Sequence, residues 1–161
     1  MNDVPNIDHC RGFLDALARL NSEASDLCAS YELQRLPDAP DMLAALGLRV
    51  EDHARNVIAP ARHLPAPLWH ITVTPCGRAQ LEQACQRWFF SSDHMRTAPP
   101  ERFRASLVNA FLEALDMSLA GFSAYSVKMT VPPGVWYAIH WDEIAFASGD
   151  ERYLLHFSHS D

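Results

Sequence analysis

VWYAIHWDEIAFASGDERYLLHFSH, residues 135–159, is two runs of aromatic and branched side chains separated by Ser148, Gly149, Asp150 and Glu151. Such runs flanking turn residues are the signature of a β-hairpin. Pairing the runs symmetrically about Gly149 and Asp150 makes partner numbers sum to 299. Phe146 then faces Tyr153, Ile144 faces Leu155, Asp142 faces Phe157 and His140 faces His159, all on one side. On the other side Glu143 faces His156 and Trp141 faces Ser158. A bulge at Asp142 and Glu143 would turn everything beyond it to the opposite face.

Ahead of the hairpin, residues 125–131 alternate, with Tyr125, Val127, Met129 and Val131 on one face. A turn at Pro132, Pro133 and Gly134 leads into the long run, which makes a three-stranded antiparallel meander. Upstream, Pro100 opens a helix whose buried side is Phe103, Leu107, Phe111, Leu115 and Leu119, ended by Gly121. Leu81, Ala84, Cys85, Trp88 and Phe89 mark a helix before it, and residues 91–99 form a polar loop. Residues 69–74 alternate and are β-rich, which predicts the first strand there.

The N-terminal part reads as helical. Cys10, Phe13, Leu14, Leu17, Leu20, Ala24, Leu27, Cys28 and Tyr31 recur at three- and four-residue steps and predict one helix over 8–31, capped by Asp8. Asp38 is expected to cap a short helix ended by Gly47, with a second short helix over 48–59. Pro60, Pro65 and Pro67 then extend the chain. Runs of segregated helices and strands define an α+β fold. The expectation is one domain over 1–161, with a helical part at 1–66 and a part at 67–161 holding a strand, two helices and the meander. A mostly antiparallel sheet of about four strands would carry four to five helices on one face.

The totals limit what such a domain does. With 161 residues, 48% hydrophobic and 20% charged, the chain has the composition of a packed globular domain. No apolar run approaches the roughly 20 residues that span a bilayer. The N-terminus lacks the basic and apolar regions of a secretory signal, so a cytoplasmic location is expected. Four cysteines without CxxC spacing predict reduced thiols. On a single helix Cys10 and Cys28 would stand about 27 Å apart at about 1.5 Å per residue, beyond disulfide reach. Twenty acids against thirteen bases give a net charge of −7, and residues 1–60 alone hold ten acids and five arginines. That balance disfavours nucleic acid and anionic membrane as partners and suits a basic protein.

The candidates for chemistry are few. Under the hairpin register His140, His159 and Asp142 come within reach of one another, with Asp161 nearby, and two imidazoles and a carboxylate are the minimum for a metal site. They have none of the HxH, HxxxH or HExxH spacings, and no cofactor is expected. Cys76 lies between a strand and a helix, where a helix N-terminus activates a thiol, with His70 or a hairpin histidine as the base it would need. Phosphate-binding loops, GxGxxG, GxSxG and calcium loops are all absent. Trp69, Trp136, Tyr137 and Trp141 exceed what one sheet face needs for its core. Rings beside acids resemble anchors within a charged rim, which selects Tyr137, Trp141, Asp142, Glu143, Asp150 and Glu151 as a partner-binding set. The expected function is therefore a non-catalytic acidic binding module, monomeric or weakly dimeric. It would inhibit a basic partner such as a toxin or nuclease, in the manner of bacterial immunity proteins and antitoxins. The alternative is a small metal- or histidine-dependent hydrolase centred on His140, His159 and Asp142.

Overall fold

The computed structural model describes residues 6–57, 69–90 and 100–161. The prolines at 60, 65 and 67 and the polar loop at 91–99 lie outside them. The hairpin is formed by β4 (His140–Ser148) and β5 (Glu151–Ser160), with His140 opposite His159 and Ser148 opposite Glu151. Every pair sums to 299, as the sequence predicts, and no bulge intervenes. Gly149 takes a positive φ of 57°, a conformation in which a Cβ is strained.

β3 (Ser123–Thr130) lies against β4 and completes the meander. β2 (His70–Cys76) adds outside β3, and β1 (Cys28–Arg35) adds outside β5. The result is a five-stranded sheet in the order β1-β5-β4-β3-β2, antiparallel at every pairing. Pro75 on edge strand β2 costs no central ladder bond.

The α+β class holds, with one strand more than expected. The extra strand comes from the tail of the predicted N-terminal helix. α1 covers only Ile7–Glu23, capped by Asn6, whose side chain accepts from the amides of Asp8 and His9. Ser22 Oγ then accepts from the Ala29 amide at 2.8 Å, and Ser25 Oγ from the Leu27 amide at 2.9 Å. These local bonds turn the chain out of the helix, because serine hydroxyls compete with the helical ladder. Ala29, Tyr31 and Leu33 alternate inward from there. Tyr31 falls on the helical stripe by coincidence of spacing, and a period of two overrides it.

Two short helices are likewise corrected to one. α2 runs unbroken over Met42–Val57, with Asp41, not Asp38, accepting from the Ala44 amide at 2.8 Å. Gly47 sits inside it, tolerated at a cost of about 1 kcal/mol relative to alanine. α3 (Arg78–Phe90) and α4 (Glu101–Ser118) follow the sequence pattern.

The helices occupy both faces of the sheet. α1, α3 and α4 close over Tyr31, Leu33, Ile144, Phe146, Leu155 and Phe157, which form the main core. α2 lies on the other face, where Ala45 and Leu46 meet Val127, Ala145 and Leu154. One-sided packing fails because Val127, Ala145 and Leu154 would leave an apolar patch in water. No helix among the described residues is long and apolar enough to cross a membrane.

Candidate functional site

The face beneath α2 changes character along its length. Toward the hairpin turn it is apolar; one register row further on, β-pairing sets Glu32, His156, Glu143 and Val127 side by side across four strands. Glu143 is 3% exposed although it carries a carboxylate. A buried carboxylate needs hydrogen-bond donors to offset lost hydration. It receives the Tyr137 hydroxyl on Oε1, and His156 Nδ1 lies 2.7 Å from the same oxygen. Burial, and then the adjacent Glu143 charge, push the Tyr137 phenol far above its ordinary value, so it remains a donor. Glu143 Oε2 has no hydrogen-bond partner.

Rings pack around this pair. Tyr137 meets His53, Trp69, Trp141 and His156 edge to face, with centroids between 5.1 and 5.6 Å apart. That geometry sets the electropositive ring edges against π faces. His53 comes from α2, and its ring lies beside the Trp136 backbone. Burial, and then the nearby Arg49 guanidinium, hold its pKa below the ordinary value. Beside the rings, Arg49 donates to Gln34 Oε1 at 3.0 Å, and Gln34 and Ser30 both donate to Glu32. Two orphaned nitrogens, His53 Nε2 and Trp69 Nε1, join Glu143 Oε2 as buried polar atoms without a partner.

Trp136 stands on the irregular connection between β3 and β4, immediately before Tyr137. It is 56% exposed, among the most exposed large apolar side chains of the described residues. Its backbone is nonetheless held on several sides. The His53 ring lies beside it, Tyr137 anchors the next residue on Glu143, and the Ile139 amide donates to the His159 carbonyl at 3.0 Å.

The six residues selected from the sequence do not form one surface. Tyr137, Trp141 and Glu143 come together, but as a part-buried cluster, and Glu143 lies beneath it and not on an exposed rim. Asp142 points to the opposite face, where its Oδ2 accepts from Trp88 Nε1 at 2.6 Å and pairs with Arg87. Asp150 and Glu151 lie at the hairpin turn, about 17 Å from Glu143 at five residues of strand rise. Glu151 is further engaged by Arg35 at 3.7 Å and the Tyr153 hydroxyl at 3.1 Å.

His140 and His159 are register partners, as the sequence predicts. The His159 ring is 4.9 Å from the Trp88 ring, and Asp142 is committed to Trp88 and Arg87. Among the described residues no three His, Cys, Asp or Glu side chains are placed to hold a metal ion. Cys76 sits in a surface groove of about 670 Å³ with Arg78, Asp116 and Tyr125. Its thiol is pushed up by burial, away from thiolate character, and lies 3.7 Å from the Gly77 carbonyl. Arg78 is paired with Asp116 at 2.7 Å. His70 is at the far end of β2, about 20 Å away at strand rise, and cannot serve as its base.

Comparison of the chain with protein-family models, with curated proteins and with solved structures finds no match.

The cluster leaves a signature in pH. His53 has a lowered pKa in the folded chain, so the unfolded chain binds the extra proton as pH falls through the ordinary value near 6.5. Stability is therefore expected to decline between pH 7 and pH 5. At the alkaline end Tyr31, pushed up to about 12 by burial, favours the folded state up to pH 10 and loses that contribution as pH rises toward 12. Urea midpoints across both ranges test this, with His53→Phe flattening the acidic limb. An unchanged acidic limb in that variant would remove His53 from the account.

Proposed function

We propose that the chain is a non-catalytic protein-binding module with Trp136 as its principal anchor. Its warrant is the exposure of that indole on a connection pinned by the Tyr137–Glu143 bond and by the Ile139 amide on the His159 carbonyl. A tryptophan left in water forgoes about 2 kcal/mol of burial, at about 25 cal/mol per Å² of apolar surface. A ring fixed before contact loses little further freedom on binding, and such rings dominate interface energetics.

The partner class follows from charge. The chain carries −7 overall. Asp8, Asp15 and Glu51 each pair with an arginine on their own helix, so the negative excess acts as a diffuse field. A diffuse negative field accelerates encounter with a basic protein more than it tightens the complex. The use we propose is inhibition of such a partner, a toxin or nuclease being the kind of protein whose basic active surface fits. A histidine- or metal-dependent hydrolase at His140, His159 and Asp142 is not favoured, because Asp142 is committed to α3 and the His159 ring packs on Trp88.

Immobilised wild-type protein and Trp136→Ala, offered the same source-cell lysate, test the proposal. A basic protein retained by the wild type and lost by the variant is expected. Identical retention by both would overturn the role of Trp136.

A further inference from the structure

We propose that the open edge of the sheet, strand β2, pairs antiparallel with β2 of a second copy of this chain, joining two sheets into one. The pairing goes beyond the contact at Trp136 and does not rest on it.

The alternation of bonded residues settles which backbone groups face outward. The Leu36 amide donates to the Arg152 carbonyl at 2.8 Å, so even-numbered residues of β1 and β5 face each other. In an antiparallel ladder successive residues point to opposite sides. Carried through the registers of β5 with β4, β4 with β3 and β3 with β2, that rule turns the even residues of β2 toward β3 and the odd ones outward. Ile71, Val73 and Pro75 therefore present their backbone to the edge. Pro75 agrees with this, since a residue without an N–H belongs on the unbonded side.

The two edges of the sheet differ. On β1 the outward residues include Ala29 and Leu33, and α1 meets both. Ser22 Oγ accepts from the Ala29 amide at 2.8 Å, and Arg11 Nε donates to the Leu33 carbonyl at 2.8 Å. β1 also carries Glu32 and Arg35, charges of the kind by which edges resist pairing. β2 has neither protection. Among the described residues no hydrogen bond meets the outward amides and carbonyls of Ile71 and Val73. Its residues, His70–Cys76, include no Lys, Arg, Asp or Glu. Beside the edge, His70 and Thr72 open onto a surface groove of about 530 Å³ lined by residues of β2, β3 and β4, with no helix residue among them.

Charge and register select an identical copy. The chain carries −7, yet β2 and β3 together hold no acid, and their only basic side chains are His70 and Lys128. A like edge approaches without meeting a carboxylate, while a basic partner finds no opposite charge there. A two-fold centred on Thr72 sets Ile71 against Val73 of the second copy and Val73 against its Ile71. Every outward amide and carbonyl of these residues then finds its complement. Centring on Val73 would set Ile71 against Pro75, and the Ile71 carbonyl would lack a donor. The cross-strand pairs are Ile with Val and Thr with Thr, both favourable. So short a contact buries less than a standard interface, so the dimer dissociates on dilution.

Sedimentation velocity from micromolar to millimolar concentration should show a monomer–dimer equilibrium in the full chain. Val73→Pro deletes an outward amide and no bond to β3, and Thr72→Lys sets like charges opposite each other at the two-fold. Each should weaken association about tenfold or more with the circular dichroism unchanged. Thr72→Cys should cross-link under mild oxidation, because the two Cα atoms stand about 4.5 Å apart at a non-bonded position. Thr74→Cys should not exceed the wild-type background set by the accessible Cys28 and Cys76, its two copies lying about 13 Å apart along the strands. A chain that stays monomeric at millimolar concentration, its edge closed or kept for another protein's strand, overturns the proposal. So does a dimer that survives both Val73→Pro and Thr72→Lys, or equal cross-linking by Thr72→Cys and Thr74→Cys.

Discussion

Phe157→Ala is expected to lower the free energy of unfolding by about 3–5 kcal/mol, the usual range for emptying a large aromatic site. Phe157 is wholly buried on β5 and joins three elements at once. Its ring lies parallel to Trp88 of α3, with centroids 5.6 Å apart and planes 8° apart. It meets Tyr31 of β1 at 5.3 Å and Phe89 of α3 at 5.9 Å, both edge to face. Neighbours this constrained cannot collapse into the gap. Tyr31 is held by its hydroxyl, which donates to the Trp88 carbonyl at 2.5 Å and accepts from Asn21 at 2.7 Å. Most of the cavity should persist, which puts the loss in the upper part of the range. Denaturant unfolding monitored by tryptophan fluorescence measures it. A loss under 1 kcal/mol would mean that this face repacks freely.

Glu143→Ala should cost a similar amount, about 3–5 kcal/mol, for a different reason. The substitution removes little apolar surface but takes the acceptor from both the Tyr137 hydroxyl and His156, leaving buried groups unpaired. Glu143→Gln keeps an oxygen for them and should recover more than half of the loss. Tyr137 also fixes the connection that carries Trp136, so the alanine variant should show a mobile indole there even where it remains folded. Equal stability of the alanine and glutamine variants would indicate that the carboxylate contributes bulk alone.

How far the sequence carried the fold depends on which signal each segment offered. The hairpin register was legible to the residue because Ser148 to Glu151 leaves one symmetric way to close two alternating runs. α3, α4 and β3 were legible for the same reason, a single strong period with glycine or proline at its ends. β1 was not, because Cys28 and Tyr31 continue the three-four spacing of α1 while Ala29, Tyr31 and Leu33 also satisfy a period of two. Only Ser22 and Ser25 hinted at the break. α2 was split at Gly47 because glycine is the commonest helix stop, and nothing local shows that an interior glycine is being tolerated.

The candidate site was legible in fragments. Register alone pairs Glu143 with His156 and sets Trp141 on the same face. The inward burial of Glu143 was missed because the helix covering that face was assigned to the other one. His53 and Trp69 lay hidden because they reach the cluster from elements distant in sequence, and no spacing rule links them to Tyr137. Trp136 stood out as one aromatic among several. Its exposure follows from the Pro132, Pro133 and Gly134 turn, which ends β3 and delays the next strand until His140, so that the indole falls outside the ladder.

The affinity of a basic partner, once captured, for Trp136→Ala and for the Asp150→Lys, Glu151→Lys double variant separates an anchored contact from a purely electrostatic one. Expected is a loss of about 30-fold or more for Trp136→Ala, carried by faster dissociation, as for a central interface tryptophan worth about 2 kcal/mol. The charge reversal at the distant hairpin turn should change affinity by less than about threefold, mainly through association and only at low salt. The opposite ranking, with Trp136→Ala near wild type and the charge reversal abolishing binding, would contradict a contact built on the pinned indole.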